Sequence, residues 1–227
     1  MPTVLITGAN RGLGLEFAKQ YAAAGWSVIA TCRDYSRAGS LKNLKGDVAT
    51  HALDVTDTRS VDSLARALEG TPIDVLLLNA AVHLQKDCTL EALDGARWLE
   101  EMRVNVVAPV MVARRFASHV ARSGQKRIVA ISSGSGSTAN VKKGGGYAYR
   151  AGKAALNNAM KVLSMDLADR GITVVPIAPG HTRTDMGGPD APHAATDSVA
   201  LVRDVIQKLR PEDSGRFFNR DGNELPW

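Results

Sequence analysis

The sequence has few cysteines and no long apolar run, and both absences exclude classes of protein. Its two cysteines, Cys32 and Cys88, form no C-x-x-C pair and no Cys/His cluster at metal-ligand spacing. We therefore expect neither a disulfide framework nor a metal site. No apolar stretch reaches the roughly 18 residues of a membrane span, and the first apolar segment leads into a glycine-rich turn instead of a cleavage site. These features predict a cytoplasmic protein without a membrane partner.

Aromatic residues are also scarce, and positive charge is not concentrated. Aromatic side chains make up 5% of the 227 residues and hydrophobic ones 44%. This composition favours one α/β domain, residues 1–227, over two small ones. The net charge of +5 is compatible with a nucleic-acid-binding domain, but the basic residues are scattered along the chain and form no stripe. We therefore expect no nucleic-acid partner.

Short apolar runs alternate with segments of helical periodicity, a pattern typical of a parallel sheet. Continuous apolarity, as in 75–78, is expected of strands that are covered on both faces. Thr56 or Asp57 could cap one helix, and Pro109 predicts a kink or break within the helical segment 89–122. The predicted strands are Thr3–Thr7, Ser27–Cys32, His51–Val55, Ile73–Leu78, Arg127–Ser132, Thr173–Ala178 and Gly215–Asn219.

A glycine-rich turn, Thr7-Gly8-Ala9-Asn10-Arg11-Gly12-Leu13-Gly14, joins the first predicted strand to the first helix. A dinucleotide pyrophosphate rests on a helix N-terminus at this place in doubly wound folds. Gly8 would permit the tight turn, Gly12 would let the backbone approach the pyrophosphate, and Gly14 would let the helix pack closely on the strand. A glycine-rich turn can also connect two elements without binding a ligand. The strand before this turn and the helix after it favour nucleotide binding.

Tyr149 and Lys153 are four residues apart on a predicted helix, so they share one face. A phenol with a pKa of about 10 is a poor base at neutral pH, and a nearby ammonium lowers that pKa. We therefore expect Lys153 to activate Tyr149 as a general acid or base. Tyr147 is excluded because Ala151 stands four residues after it.

The T-G-x3-G-x-G turn and the Y-x-x-x-K pair resemble the short-chain dehydrogenase/reductase family. Segments such as TCRD and GYAYRAGKAALN are most similar to its C-factor and sniffer-like carbonyl reductase branch. The resemblance implies a Rossmann-type domain with seven parallel strands in the order 3-2-1-4-5-6-7. It also implies hydride transfer between NAD(P) and a small carbonyl or alcohol substrate, and a homodimer or homotetramer, although relatives with a short C-terminal region can be monomers.

The resemblance also assigns roles to individual residues. Ser133 would polarise the substrate carbonyl, with Ser132 as the alternative. Asn105 would bind a water that links Lys153 to solvent, or would stabilise the helix irregularity before Pro109, or both. The catalytic set is then Asn105, Ser133, Tyr149 and Lys153. The implied cofactor contacts are Gly8, Asn10, Arg11, Gly12, Leu13, Gly14, Arg33, Asp54, Val55, Asn79, Ala80, Ala81, Tyr149, Lys153, Pro179, Gly180, Thr182 and Thr184.

Three positions favour NADP(H) over NAD(H). Arg11 and Arg33 could converge on a 2′-phosphate, and Cys32 stands where NAD-preferring relatives carry an acid. Asp34 is the contrary evidence, and we interpret it as pointing to solvent.

Two further alternatives stay open at this stage. His83, His181 and His193 could each be a base, but none sits at a spacing that requires this role, and His181 either lines the substrate pocket or is a plain loop residue. The chain as a whole could instead be a dinucleotide-sensing regulatory protein without turnover. The intact catalytic set argues against that reading.

Overall fold

The computed structural model describes residues 1–86 and 88–227, and its centre is one sheet of seven strands. The strand order is β3-β2-β1-β4-β5-β6-β7, and every neighbouring pair is parallel. The predicted Rossmann-type sheet and its order are therefore confirmed. The strands are β1 (Thr3–Ile6), β2 (Ser27–Cys32), β3 (Val48–Ala52), β4 (Val75–Leu78), β5 (Arg127–Ile131), β6 (Thr173–Ala178) and β7 (Phe218–Asn219).

Helices cover both faces of this sheet, which explains why its central strands are continuously apolar. The helices are α1 (Gly12–Ala23), α2 (Gly39–Lys42), α3 (Thr58–Ala67), α4 (Gly95–Met102), α5 (Ala108–Ala121), α6 (Tyr147–Asp166) and α7 (Ala195–Lys208). Phe17 of α1 and Val202 of α7 belong to the core on one face. Phe116 of α5 and Leu156 of α6 belong to the core on the other. Within the described part of the chain, no helix is long and apolar enough to cross a membrane.

The third strand lies earlier in the chain than the apolar pattern predicted. We expected His51–Val55, whereas β3 spans Val48–Ala52 and pairs with β2 from Val28↔Val48 to Cys32↔Ala52. This strand is at the edge of the sheet, and its side chains are only partly buried or exposed, so hydrophobicity marks it weakly. The chain turns away at Asp54, whose carboxylate accepts hydrogen bonds from Thr56. The other strands differ from the predicted ones only at their ends.

The helical segment that contains Pro109 is interrupted, as predicted. Between α4 and α5, residues Arg103–Val107 form one turn of π-helix. Pro109 lies in the first turn of α5, where a missing backbone N–H disturbs the helix least. Asp57 is the N-cap of α3 and accepts a hydrogen bond from the Arg59 N–H, which decides between the two predicted caps.

Candidate active site

The predicted site residues meet at the carboxyl ends of β1, β4, β5 and β6. Because the strands are parallel, the loops that follow them open at the same edge of the sheet. The strand order reverses between β1 and β4, and ligands of open α/β sheets bind at such a switch point. The loops that follow these four strands, the residues after β2 and β3, and the start of α6 contribute the side chains described next.

The glycine turn after β1 leaves a helix N-terminus open to an anion. Gly8 and Gly12 have positive φ angles of 67° and 53°, which favour glycine. A Cβ on Gly14 would overlap the carbonyl oxygen of Gly8, so this close approach also requires glycine. No side chain caps α1, and no acidic residue lies in its first turn. The unpaired N–H groups of such a helix end fit a phosphate.

Asn79 holds this turn against the loop after β4. Its side-chain amide donates to the carbonyl oxygens of Thr7 and Gly8, at 2.9 and 3.0 Å. The Thr7 hydroxyl oxygen accepts in return from the backbone N–H groups of Asn79 and Ala80, at 2.9 and 3.0 Å. Both hydrogen bonds of the Asn79 amide group therefore stabilise the glycine turn. Ala80 lies directly against Gly8.

Charged residues surround the far end of the turn, beside β2 and β3. Burial acts to raise the pKa of Asp54, but hydrogen bonds from Thr56 and the positive charges of Arg33 and Arg103 outweigh it, so the pKa is lowered. Arg33 therefore lies close enough to Asp54 to act on it electrostatically. Arg11, which is two-thirds exposed, forms a 3.4 Å ion pair with Asp185 of the loop after β6.

The two residues that flank Arg33 differ in their environments. Cys32 is buried, and burial followed by the charge of Asp34 raises the pKa of its thiol. The Asp34 carboxylate accepts hydrogen bonds from the Ser36 backbone N–H and hydroxyl, at 2.9 and 2.6 Å. Our expectation that Asp34 points simply to solvent is therefore incomplete, because it caps the 3-10 turn that follows β2.

Tyr149, Ser133 and Lys153 come together where β5 ends and α6 begins. The Ser133 hydroxyl lies close enough to the Tyr149 phenol to act on its pKa as a hydrogen-bond partner. Lys153 is 2% exposed, and its Nζ donates to the Ile131 carbonyl oxygen at 2.8 Å and lies 5.7 Å from the centroid of the Tyr149 ring. The alternative serine, Ser132, is buried and donates to Asn157 instead. The arrangement places a phenol, a hydroxyl and an amine around one point.

The electrostatics of this group differ from the sequence-based expectation. Burial raises the pKa of Tyr149; the hydrogen bond with Ser133 acts to lower it, and the charge of Glu101 raises it further. Burial also lowers the pKa of Lys153 to about 8. The prediction that Lys153 lowers the pKa of Tyr149 is thus wrong for this structure, because the amine points at a backbone carbonyl and burial dominates both groups.

Asn105 and Glu101, one turn apart on the α4–π segment, hold the loop that follows β4. The Asn105 side chain accepts from the Val82 N–H at 2.9 Å and donates to the Val82 carbonyl at 2.8 Å. Glu101 is fully buried, and its Oε1 accepts from the N–H groups of Leu84 and Gln85, at 2.7 and 3.0 Å. Sequence reasoning missed Glu101, because one acid on an amphipathic helix is normally a solvated residue.

His83, which lies between these anchored residues, stacks on Tyr149. The centroids of the two rings are 4.3 Å apart, and their planes differ by 23°. Sequence reasoning missed this contact, since nothing in the spacing of His83 relates it to Tyr149. The predicted His181 is an exposed loop residue whose ring nitrogen bonds to the Gly187 carbonyl oxygen at 2.8 Å.

The loop after β6 closes over the glycine turn. The methyl and Cβ of Thr184 lie 3.6 and 3.7 Å from where a Cβ on Gly12 would be, so the two segments are in contact. Thr182 is buried and bonds to Gly180 and Ser198, which fixes the loop to α7. Among the described residues, no group of three His, Cys, Asp or Glu side chains could hold a metal ion.

The predicted cofactor contacts include five further residues: Val55, Asn10, Leu13, Ala81 and Pro179. Val55 lines the same small cleft as Thr7 and Ala80. Leu13 packs against the core, and Pro179 is buried at the end of β6. These residues follow β1, β3, β4 or β6 in the chain, so they lie at the edge of the sheet formed by the carboxyl ends of its strands.

Comparisons with known proteins identify relatives of this chain. The family model described as short chain dehydrogenase matches residues 2–194. The C-signal protein of Myxococcus xanthus is 41% identical over 156 residues, which are 69% of this chain and 93% of that protein.

Two solved structures are similar over the whole chain. The carbonyl reductase Sniffer of D. melanogaster has a TM-score of 0.94 and 32% identity, with 100% of both chains covered. An NADPH-bound carbonyl reductase from chicken fatty liver has a TM-score of 0.91 and 31% identity, with 100% of this chain and 99% of that chain covered.

Proposed function

The chain belongs to the short-chain dehydrogenase family, and from this premise we propose that it is an NADP(H)-preferring carbonyl reductase or alcohol dehydrogenase. Its reaction moves a hydride between the nicotinamide and a carbonyl or alcohol carbon, with Tyr149 as the proton donor or acceptor. The observation that carries the proposal is the convergence of Tyr149, Ser133 and Lys153 at the edge of the sheet that also holds the open glycine turn.

The open end of α1 supports NADP binding, since it presents N–H groups and no acid to the cofactor phosphates. The NADPH-bound carbonyl reductase from chicken, similar over the whole chain, supports the same cofactor. Bound there, NADPH supplies the hydride. Thr184, which lies next to Gly12, would meet the nicotinamide end. Arg33, close to Asp54, would bind the 2′-phosphate at the adenosine end, together with Arg11 once Arg11 releases Asp185.

The substrate carbonyl oxygen would accept hydrogen bonds from Ser133 and Tyr149. Ser133 would polarise the carbonyl, and Tyr149 would deliver its proton to the oxygen as the alcohol forms. Because burial raises the pKa of Tyr149, the phenol is held protonated at neutral pH, which suits the direction of carbonyl reduction.

Lys153 would contact the nicotinamide ribose and return a proton toward Tyr149. Its lowered pKa, about 8, makes its proton available near neutral pH. The Asn105 amide is engaged by Val82, which supports its structural role, and the water relay implied by the resemblance stays a prediction.

Tyr149→Phe tests the proposal, with Tyr147→Phe as the matched control on the same helix. A panel of aldehydes, quinones and small ketones is first assayed by NADPH oxidation to find a working substrate. We expect Tyr149→Phe to lower kcat by at least about a hundredfold, the scale for loss of a general acid, with the Kd for NADPH nearly unchanged.

Tyr147→Phe should keep wild-type kcat, because this ring is exposed and its aromatic neighbour is Trp98. Unchanged turnover in Tyr149→Phe would remove this residue from the mechanism. NADPH binding without turnover on any member of the panel would favour the alternative of a dinucleotide sensor.

A further inference from the structure

We infer that His83 is a positioning residue for Tyr149: stacked on the phenol ring, it holds that ring in the orientation needed for proton transfer. The inference rests on the proposed role of Tyr149. It concerns a residue outside the predicted catalytic and cofactor-binding set, and one that sequence spacing did not relate to the site.

The geometry of the ring pair carries the inference. A centroid distance of 4.3 Å and an interplanar angle of 23° describe an offset stack in close contact. Tyr149 lies in the first turn of α6, directly after a loop in which Gly145 and Gly146 both have positive φ. The loop before this helix offers no side chain at Gly145 and Gly146 to pack on the ring, whereas His83 does.

The backbone on both sides of His83 is anchored by the same helical segment. Asn105 of the π-turn bonds to both backbone groups of Val82. Glu101 of α4 accepts from Leu84 and Gln85. His83 therefore lies in a loop segment, residues 82–85, whose backbone is held by hydrogen bonds on both sides of it. Because this backbone is already ordered, the His83 ring loses little further conformational entropy when it stacks on Tyr149. It can therefore hold the phenol ring in place.

Two charged groups, one on α4 and one on α6 itself, lie near Tyr149. Glu101 of α4 acts on its pKa, and Lys153 of α6 lies 5.7 Å from its ring centroid. The aromatic group stacked on the Tyr149 ring is His83. Removing the His83 ring should therefore loosen and hydrate the phenol while Glu101 and Lys153 stay in place.

The kinetic test compares His83→Ala and His83→Phe, with NADPH and phenanthrenequinone as the probe substrate. Phe keeps a stacking ring but no titratable nitrogen. We expect His83→Ala to lower kcat about two- to tenfold, the scale of an aromatic pair, with KM and the Kd for NADPH nearly unchanged. His83→Phe should recover most of the lost kcat. Leu90→Ala, an exposed residue of the same loop, should behave as wild type.

A second measurement requires no turnover. The ultraviolet titration of Tyr149 is isolated as the difference between each protein and the same protein carrying Tyr149→Phe. Because burial raises the pKa of Tyr149, exposing one face of its ring should bring the pKa back toward 10 in His83→Ala. His83→Phe should restore the wild-type titration.

The outcomes separate the two proposals. A lower kcat and a lower pKa of Tyr149 in His83→Ala, both restored by Phe, support the inference. Wild-type titration in His83→Ala overturns it, and so does an equal loss of kcat in Ala and Phe, which would mean that the imidazole itself acts on the substrate. If Tyr149→Phe keeps full turnover, or the probe is not reduced, the proposed function is what fails, and the titration still decides whether His83 holds the ring.

Discussion

At the scale of single residues, burial sets the chemistry of the site more than charge pairing does. Lys153 is almost completely buried, and its amine is paired with a carbonyl oxygen, not with an acid. Tyr149 is raised in pKa by the same cause. The sequence predicted the identity and spacing of this pair but not the direction of the shift in Tyr149, since the burial of each group depends on which loops fold over it.

The proposed preference for NADP(H) depends on two exposed arginines. Replacing Arg11 and Arg33 together with Ala should weaken NADPH binding far more than NADH binding. Each charge-assisted hydrogen bond to the 2′-phosphate contributes about 1.5 to 3 kcal/mol, and exposure to solvent places the expected effect toward the lower end. We would measure both dissociation constants in wild type and in the double variant.

Lys208→Ala is the control for lost positive charge, because Lys208 is exposed on α7. It should leave the ratio of the two dissociation constants unchanged. Tighter binding of NADH than of NADPH by wild type, or an equal loss for both cofactors in the double variant, would contradict the assignment.

At the scale of elements, the site is built by short irregular segments between regular ones. The glycine turn and the π-turn each bring backbone and side-chain groups into the site. A continuous α-helix could not direct these groups there. Glycine spacing predicted the first from the sequence. Pro109 predicted that the second region is irregular, but its π form, and the bonds of Asn105 to Val82, depend on tertiary contacts.

The glycine turn gives a prediction at this scale. In Gly14→Ala the new Cβ would overlap the Gly8 carbonyl oxygen and crowd the Asn79 amide, so the turn must shift. We expect the Kd for NADPH to rise at least about tenfold and Tm to fall, as is usual when a strained close approach is disturbed.

Gly39→Ala is the matched control for Gly14→Ala. Gly39 lies in α2, and a Cβ there would meet no atom within 4 Å. Its cofactor affinity should equal that of wild type. Wild-type affinity in Gly14→Ala as well would show that the turn does not carry the phosphates.

At the scale of the whole molecule, the alternation of apolar strands with amphipathic helices was enough to predict the class of fold. The resemblance then supplied the strand order. The edge strand β3 escaped the pattern because its side chains are only half-covered. The stack of His83 on Tyr149 could not be predicted, since it joins a loop to the first turn of α6. Their approach is set by the packing of α4 and α6 and leaves no periodic trace in the sequence.

The burial of Lys153 should make the whole fold less stable, and this effect depends on pH. Its pKa is lowered from 10.5 to about 8, so between these values the unfolded chain holds a proton that the folded chain does not. The destabilisation caused by burying the Lys153 ammonium is absent above pH 10.5. It grows as the pH drops toward 8 and stays constant below pH 8. The loss is on the order of 3 kcal/mol. Lys153→Met, which removes the charge, should therefore have a higher Tm than wild type at pH 7 while losing turnover and cofactor affinity.

The difference in Tm should shrink as the pH rises through this window, because the folded wild type then buries a neutral amine and the unfolded chain also loses its proton. Comparing the two proteins at each pH cancels the other titrating groups, and the exposed Lys208→Met should show no such trend. A lower Tm for Lys153→Met at pH 7 would mean that the hydrogen bond to the Ile131 carbonyl outweighs the burial of charge. The expected result, a more stable but less active variant, would show that this lysine is kept for its chemistry at the expense of the fold.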